Sequence, residues 1–217
     1  MAEQNICLAH KMDEPELVPS PTTWADCVLD NFDTFLSDHA SCEKKASGMA
    51  LNVAAHYPDK PVLLNAMVDL AVEELSHYRE VMRLIMERKL TPTPDIRDTY
   101  VHTLNQQVRR GTQAFLLDRL LVGAVIERRG AERFAMLATR LEQVCTTDDS
   151  QTTPPSSNRL ARFYQSIAAS EERHWLLFCN LACEYFPVEQ VSNRLIELTD
   201  AEGSIMLEQA RAPTLHG

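Results

Sequence analysis

Glycine is scarce in this chain of 217 residues, which contains only 6 glycines. The loops GxGxxG, Walker A and GxSxG are absent, so the sequence lacks the usual marks of a nucleotide-binding protein or a serine hydrolase. It has no run of 18 or more apolar residues and no basic stretch followed by an apolar one near its beginning. We therefore expect a soluble, cytoplasmic protein that does not cross a membrane.

Paired CxxC motifs are also missing, although the chain has 6 cysteines. Their absence argues against a zinc site or a rubredoxin-type module. A chain of this length with 45% hydrophobic residues can bury a core without disulfides. We expect reduced thiols within one domain that spans residues 1–217, with a loose N-terminal segment over residues 1–20.

Basic residues are in the minority, with 21 Lys and Arg against 31 Asp and Glu and a net charge of −10. Taken alone, this balance argues against a nucleic-acid binder, because phosphate contacts need clustered Lys and Arg. The charge is uneven, however: residues 79–173 hold 15 of the basic residues against 12 acidic ones. The middle of the chain is therefore its basic part.

The low glycine content and apolar residues spaced three and four apart predict an all-α protein. Proline-containing breaks divide the chain into segments. We expect long helices over about residues 23–56, 61–90, 113–144 and from about 159 to 185, a shorter helix over 95–110, a surface loop over 145–158 and a last helix over 187–210. Four long helices joined in this way predict a four-helix bundle with additional helices.

Each long helix carries a carboxylate midway along its apolar stripe, at Glu43, Glu74, Glu127 and Glu171. An unpartnered buried carboxylate is costly, so four of them in one core require cations. Two of these glutamates begin a Glu-x-x-His motif, which places His77 and His174 on the same helix faces. Two such helices plus two helices with one glutamate each are typical of ferritin-like dinuclear carboxylate proteins.

Carboxylates combined with two imidazoles suit iron or manganese better than zinc. We expect two iron ions, with dioxygen as the co-substrate, held by Glu43, Glu74, His77, Glu127, Glu171 and His174. The adjacent Glu73 and Glu172 turn about 100° away and are assigned to an outer layer or the surface. We interpret His39 as a packing or surface histidine.

Several functions are compatible with these residues. A ferritin-like ferroxidase or a rubrerythrin-like peroxidase would use the same ligands, although rubrerythrin-like proteins carry the paired CxxC module that is missing here. A dimanganese catalase would release oxygen from peroxide, and a non-catalytic interaction bundle would bind no metal. Composition and spacing lead only as far as an oxygen-activating diiron bundle.

Four segments resemble the bacterial tRNA 2-methylthio-isopentenyladenosine hydroxylase family (MiaE-type). They are DHASCEKKAS, VDLAVEELSHYREVM, DRLLVGAVIERRGAERFAML and FYQSIAASEERHWLLF, and the pattern LLxxAxIExRxxERF around Glu127 is the most distinctive. The resemblance covers about residues 20–200, and the same six ligands match the metal motif of the family. It implies a non-haem diiron monooxygenase that adds one oxygen atom to the isopentenyl group of an adenosine beside the anticodon.

The resemblance also implies two partners, the anticodon loop of a tRNA and an unidentified electron donor. We expect RNA contacts from some of the arginines in the basic middle, namely Arg109, Arg110, Arg128, Arg129, Arg133, Arg159, Arg162 and Arg173. Because the whole chain is acidic, we expect modest, salt-sensitive RNA affinity.

Overall fold

Helices form every regular element in the part of the chain that the structure describes. The structure is a computed structural model that describes residues 15–147, 155–209 and 212–217. Its helices are α1 (Thr23–Asp30), α2 (Phe32–His56), α3 (Pro61–Glu87), α4 (Thr99–Asn105), α5 (Thr112–Thr147), α6 (Pro155–Tyr185) and α7 (Val188–Glu208). The all-α prediction is confirmed.

The four longest helices form a ferritin-like bundle, as predicted. Helix α2 packs along α3, and α5 packs along α6. Apolar side chains such as Leu70, Leu120 and Phe178 fill the space between the helices, and α4 and α7 pack against each other and against α5. Among the described helices, none is both long and apolar enough to cross a membrane.

The first long helix is interrupted, and our prediction of one helix over residues 23–56 was wrong. Asn31 leaves the helical region with φ −132° and ψ 36°, and its side-chain amide donates to the carbonyl of Cys27 at 3.0 Å. Asparagine readily makes such local bonds in place of the helical ones. The break lets Trp24 and Val28 of α1 pack beside Phe35 in a second apolar cluster.

The third and fourth helices are shorter than predicted, because backbone geometry ends the third helix earlier and a capping residue begins the fourth one later. Helix α3 stops at Glu87, and Lys89 adopts the left-handed conformation with φ 59°, which is common just after a helix end. Helix α4 begins at Thr99 because the carboxylate of Asp98 accepts the backbone N–H of Val101 at 2.9 Å.

The predicted loop over residues 145–158 is narrower in the structure. Helix α5 continues to Thr147, and α6 begins at Pro155, where proline is tolerated in the first helical turn. Residues 148–154 lie outside the described part of the chain. The last helix, Val188–Glu208, falls within the predicted range of 187–210.

Two of the arginines predicted to contact RNA are buried, so that prediction was wrong for Arg129 and Arg133. Their exposed fractions are 0% and 2%. The guanidinium of Arg129 forms a two-bond pair with Glu202 of α7 at 2.7 and 2.8 Å, and Tyr100 also donates to Glu202 at 2.9 Å. Arg133 donates to the carbonyl of Leu215 at 2.6 Å. These arginines join separate elements and are not available to an RNA surface.

The same arginines anchor part of the N-terminal segment that we expected to be loose. Arg129 donates to the carbonyl of Val18 at 2.9 Å, and Ser20 bonds Glu132 through both its N–H and its hydroxyl at 2.7 Å. Val18 and Ser20 therefore tie this segment to α5, although Glu16, Val18 and Pro19 are exposed. Residues 1–14 lie outside the described part of the chain.

We expect Arg129→Ala to lower the free energy of unfolding by about 3–5 kcal/mol, because it leaves the fully buried Glu202 carboxylate without its partner. The matched control is Arg140→Ala, which removes an exposed pair with Asp26 and should cost at most about 1 kcal/mol. Urea unfolding followed by circular dichroism measures both values. Equal losses in the two variants would contradict this role of Arg129.

Candidate metal centre

The six predicted ligand side chains converge in the middle of the bundle. Helix α2 contributes one glutamate, α5 contributes one, and α3 and α6 each contribute a glutamate and a histidine. All six are buried, with exposed fractions of at most 8%. Each side chain comes from the inward stripe of its helix, because residues three apart share one helical face.

The six side chains form two overlapping groups of potential ligand atoms. Glu43, Glu74, His77 and Glu171 make one group, and Glu74, Glu127, Glu171 and His174 make the other, with the ligand atoms within each group no more than 4.8 Å apart. Glu74 and Glu171 belong to both groups. The arrangement therefore offers two cation positions with two shared carboxylates between them.

Each histidine lies against glutamates from more than one helix. His77 Nδ1 is 3.2 Å from Glu74 Oε2 and 3.5 Å from Glu43 Oε2. His174 Nδ1 is 2.9 Å from Glu74 Oε1 and 3.7 Å from Glu127 Oε2. The two imidazole rings are 5.9 Å apart, so all four helices meet at this point.

Without a metal, four of these groups have a raised pKa, whereas that of Glu43 is lowered: burial by itself would raise it, but the contacts with His39 and His77 outweigh burial. Burial raises the pKa of Glu74 to about 7, and burial together with the charge of Glu127 raises the pKa of Glu171 well above its usual range. Burial by itself would lower the pKa of His77, but the Glu43 and Glu74 carboxylates raise it to about 10. His174 behaves in the same way, and its pKa rises to about 11.

Some buried polar atoms of the cluster lack a well-aligned hydrogen-bond partner. They are Glu74 Oε1 and both ring nitrogens of His174. The contact between His174 Nδ1 and Glu74 Oε1 is short, but its geometry is not that of a hydrogen bond. Buried polar atoms normally have partners, so this donor set fits cations that would bind the oxygens and the imidazole nitrogens.

Two further side chains hold the ligands in place. His39 is fully buried, and its Nε2 is 2.7 Å from Glu43 Oε1, whereas we had interpreted it as a packing or surface residue. Its position four residues before Glu43 was the available sequence signal. Glu73 lies 3.4 Å from His174 Nε2 and accepts a hydrogen bond from Ser170 at 2.9 Å, in keeping with the outer position we predicted for it.

A cavity of about 140 Å³ adjoins the cluster, between α2, α4 and α5. Ala46, Met49, Val122, Gly123 and Ile126 make its wall largely apolar. Its volume is comparable to that of a cavity that holds a benzene-sized ligand. The cavity therefore offers a space with a largely apolar wall beside the candidate metal positions.

One polar pair at the cavity was not found by sequence reasoning. His216 Nδ1 lies 2.6 Å from Asp98 Oδ2, and the imidazole ring stacks on Tyr100 with 4.6 Å between centroids. Both His216 and Asp98 line the cavity. Their distance along the chain, more than 100 residues, explains why no local pattern indicated the pair.

The other predicted RNA-contact arginines are accessible or half-exposed, and several have partners within the chain. Arg109 pairs with Asp118, Arg159 with Glu87 and Arg173 with Glu73. Arg128 lies over the ring of Trp175, and Arg110 and Arg162 are exposed. RNA contact by these six arginines stays a prediction.

The chain is similar to proteins of known activity. The family model described as tRNA-(ms2io6A)-hydroxylase (MiaE) matches residues 10–217. A tRNA 2-(methylsulfanyl)-N(6)-isopentenyladenosine(37) hydroxylase of Pseudomonas putida is 35% identical over 183 residues, covering 84% of this chain and 82% of the relative. The protein of the same name from Salmonella typhimurium is 30% identical over 154 residues, covering 71% of this chain but only 51% of that relative.

A solved structure has the same architecture. It is described as Protein 43 with aldehyde deformylating oxygenase activity from Synechococcus, and it superimposes with a TM-score of 0.81. The two chains are 30% identical, and the match covers 95% of this chain and 96% of the other. The four-helix core and the additional helices therefore occur together in another protein.

We expect the unfolding temperature of the metal-free protein to fall as the pH rises from about 5 to about 8. Glu74 stabilises the fold fully below its ordinary pKa of 4.5, and that stabilisation is lost as the pH approaches about 7. The stabilisation from His77 is complete below 6.5 and is lost as the pH rises toward about 10. Calorimetry across this range tests the trend, and a rise in unfolding temperature with pH would contradict it.

We expect Glu171→Gln to make the metal-free protein more stable by about 1–3 kcal/mol at pH 8, because it removes a buried carboxyl whose pKa is raised. The same change should lower the amount of metal that the protein retains. The neighbouring exposed Glu172→Gln is the control and should change neither quantity. Loss of stability in the metal-free Glu171→Gln protein would argue against a cation site.

Proposed function

Because this chain belongs to the MiaE family of tRNA hydroxylases, we propose that it hydroxylates the isopentenyl group of 2-methylthio-isopentenyladenosine beside the anticodon of tRNA. The reaction takes one oxygen atom from dioxygen. In balance, a C–H bond, dioxygen, two electrons and two protons give a C–OH bond and one water. A tRNA substrate implies that the reaction occurs in the cytoplasm.

The proposed cofactor is a pair of iron ions. Glu43 and His77 would help to hold one ion and Glu127 and His174 the other, with Glu74 and Glu171, which belong to both ligand groups, as further ligands. The two overlapping ligand groups and the unpartnered Glu74 Oε1 support this assignment. When bound, two ferrous ions would supply the means to activate dioxygen.

The remaining side chains prepare the site for an organic substrate. The hydrogen bond with His39 fixes the orientation of Glu43, and Glu73 lies beside His174. The largely apolar wall of the cavity offers a surface for a branched hydrocarbon chain. This cavity beside the six ligands is the observation that favours hydroxylation over a ferroxidase or peroxidase reaction, since neither of these needs space for a hydrocarbon.

Electrons must come from outside the chain. Carboxylates and imidazoles at the centre offer no redox group of their own beyond the proposed iron pair. A one-electron reductant, acting twice, would therefore complete the balance.

The test is to incubate iron-loaded protein, a chemical reductant and isotopically labelled dioxygen with tRNA that carries the unhydroxylated nucleoside. Mass spectrometry of the digested nucleosides should show the gain of one labelled oxygen atom. His174→Ala should lower the rate by about 100-fold or more through loss of a proposed ligand, and the exposed Glu172→Gln should retain it.

Other outcomes identify the alternatives. Iron oxidation or peroxide turnover without any change in the tRNA would support a ferroxidase or peroxidase. Oxygen release from peroxide by a manganese-loaded protein would support a catalase. Either result, combined with an unmodified nucleoside, would overturn the proposed hydroxylation.

A further inference from the structure

The cavity beside the candidate metal centre contains an arginine without an anionic partner. Arg119 of α5 lines the cavity and is half-buried. Its Nη1 donates to Asn105 Oδ1 of α4 at 2.9 Å. Within the described residues, no carboxylate lies at ion-pairing distance from its guanidinium, and burial lowers its pKa.

Two other arginines, unlike Arg119, have an anionic partner. Arg109 and Arg194 both bond the buried Asp118, which precedes Arg119 in the sequence. Asp118 is thus already occupied and points away from the cavity. A half-buried guanidinium that has lost water and gained no anion is unfavourable, and its planar fork is well suited to oxyanions.

The position of Arg119 along its helix is also informative. It lies eight residues before Glu127, which corresponds to about 12 Å along an α-helix. Between them, Val122, Gly123 and Ile126 line the apolar wall. Beyond Glu127 the cavity continues to Phe134 and the pair of Asp98 and His216, so the ligand carboxylates lie midway along it. From these carboxylates toward Arg119, the order is therefore carboxylates, apolar wall and cation.

A prenylated nucleotide has its chemical groups in the same order. The hydrocarbon chain comes first, the planar base follows, and the sugar and its phosphates come last. If the hydrocarbon chain enters the cavity, which has room for a group of that size, the base and sugar would lie toward its mouth, and a phosphate could approach the half-exposed Arg119 from outside. The anion at the far end of this sequence of groups is an RNA phosphodiester.

We propose that Arg119 binds a phosphodiester of the RNA strand next to the prenylated adenosine, with Asn105 holding the guanidinium in place. Asn105 engages Nη1, which leaves Nε and Nη2 for two phosphate oxygens. This proposal rests on the proposed function and adds a binding residue to it. Arg119 is not among the arginines that sequence reasoning selected.

The test measures binding of metal-free protein to an anticodon stem-loop that carries the prenylated adenosine. Arg119→Gln, whose amide can still bond Asn105, should weaken binding by about tenfold at low salt. It should also reduce the slope of log affinity against log salt by about 1. Arg119→Lys keeps the charge and should keep most of the slope. Fluorescence anisotropy over a range of salt concentrations gives both quantities.

Two controls separate a phosphate contact from a structural effect. Arg140→Gln changes an exposed arginine paired with Asp26 and should leave the affinity and slope unchanged. Binding of the free prenylated nucleoside, which has no phosphate, should be the same for the wild type and Arg119→Gln. If Arg119→Gln does not fold, Arg119→Met is measured in its place, and an affinity and salt slope equal to those of the wild type would overturn the proposal.

The outcomes also distinguish this proposal from the proposed function. If the wild type binds and hydroxylates the stem-loop but Arg119→Gln binds with the same affinity and the same salt slope, the phosphate site is wrong and the function stands. If the wild type neither binds nor hydroxylates the stem-loop, the proposed function fails, and the phosphate site fails with it.

Discussion

The burial of four carboxylates at the centre of one helical bundle is the constraint on which this structure depends. Glu74 and Glu171 are 1% and 5% exposed, and each faces other carboxylates. Without cations, the fold can keep these groups only by protonating them, as the raised pKa values of both glutamates indicate. Two divalent cations would remove that cost and fix the four helices in one register.

A further buried carboxylate, that of Glu202, has partners within the chain and so differs from the central glutamates. Glu202 is also fully buried, but it receives a two-bond pair from Arg129 and a hydrogen bond from Tyr100. Both oxygens of that carboxylate therefore have partners inside the protein. Among the described residues, the ion pairs of the central glutamates are all with histidines, which distinguishes a site suited to an external cation from a structural ion pair with arginine.

Sequence reasoning found the central cluster because its signal is local. Residues three apart on a helix share a face, so Glu74 with His77 could be recognised without knowing the fold. The interruption at Asn31 was missed, because the bond from its side chain to Cys27 competes with an otherwise continuous helical pattern. Helix ends were placed within a few residues, except where a capping group such as Asp98 began a helix late.

Arginine was the residue type that the sequence described least well. Its position in a charged stretch of helix suggests that Arg129 lies on the surface. It is buried, however, where it pairs with Glu202, which is 73 residues away in the sequence. The sequence did not indicate a role for Arg119, because its lack of a carboxylate partner depends on the fold and not on neighbouring residues. The pair of Asp98 and His216 was not predicted either, because these residues are distant in the sequence and come together only in the folded chain.

X-ray absorption spectroscopy of the iron-loaded protein tests the central claim most directly. The account predicts iron bound only by nitrogen and oxygen atoms, with a second iron at about 3–4 Å, the separation expected when carboxylates bridge two ions. A spectrum without a neighbouring iron, or one with sulfur in the first coordination shell, would contradict it.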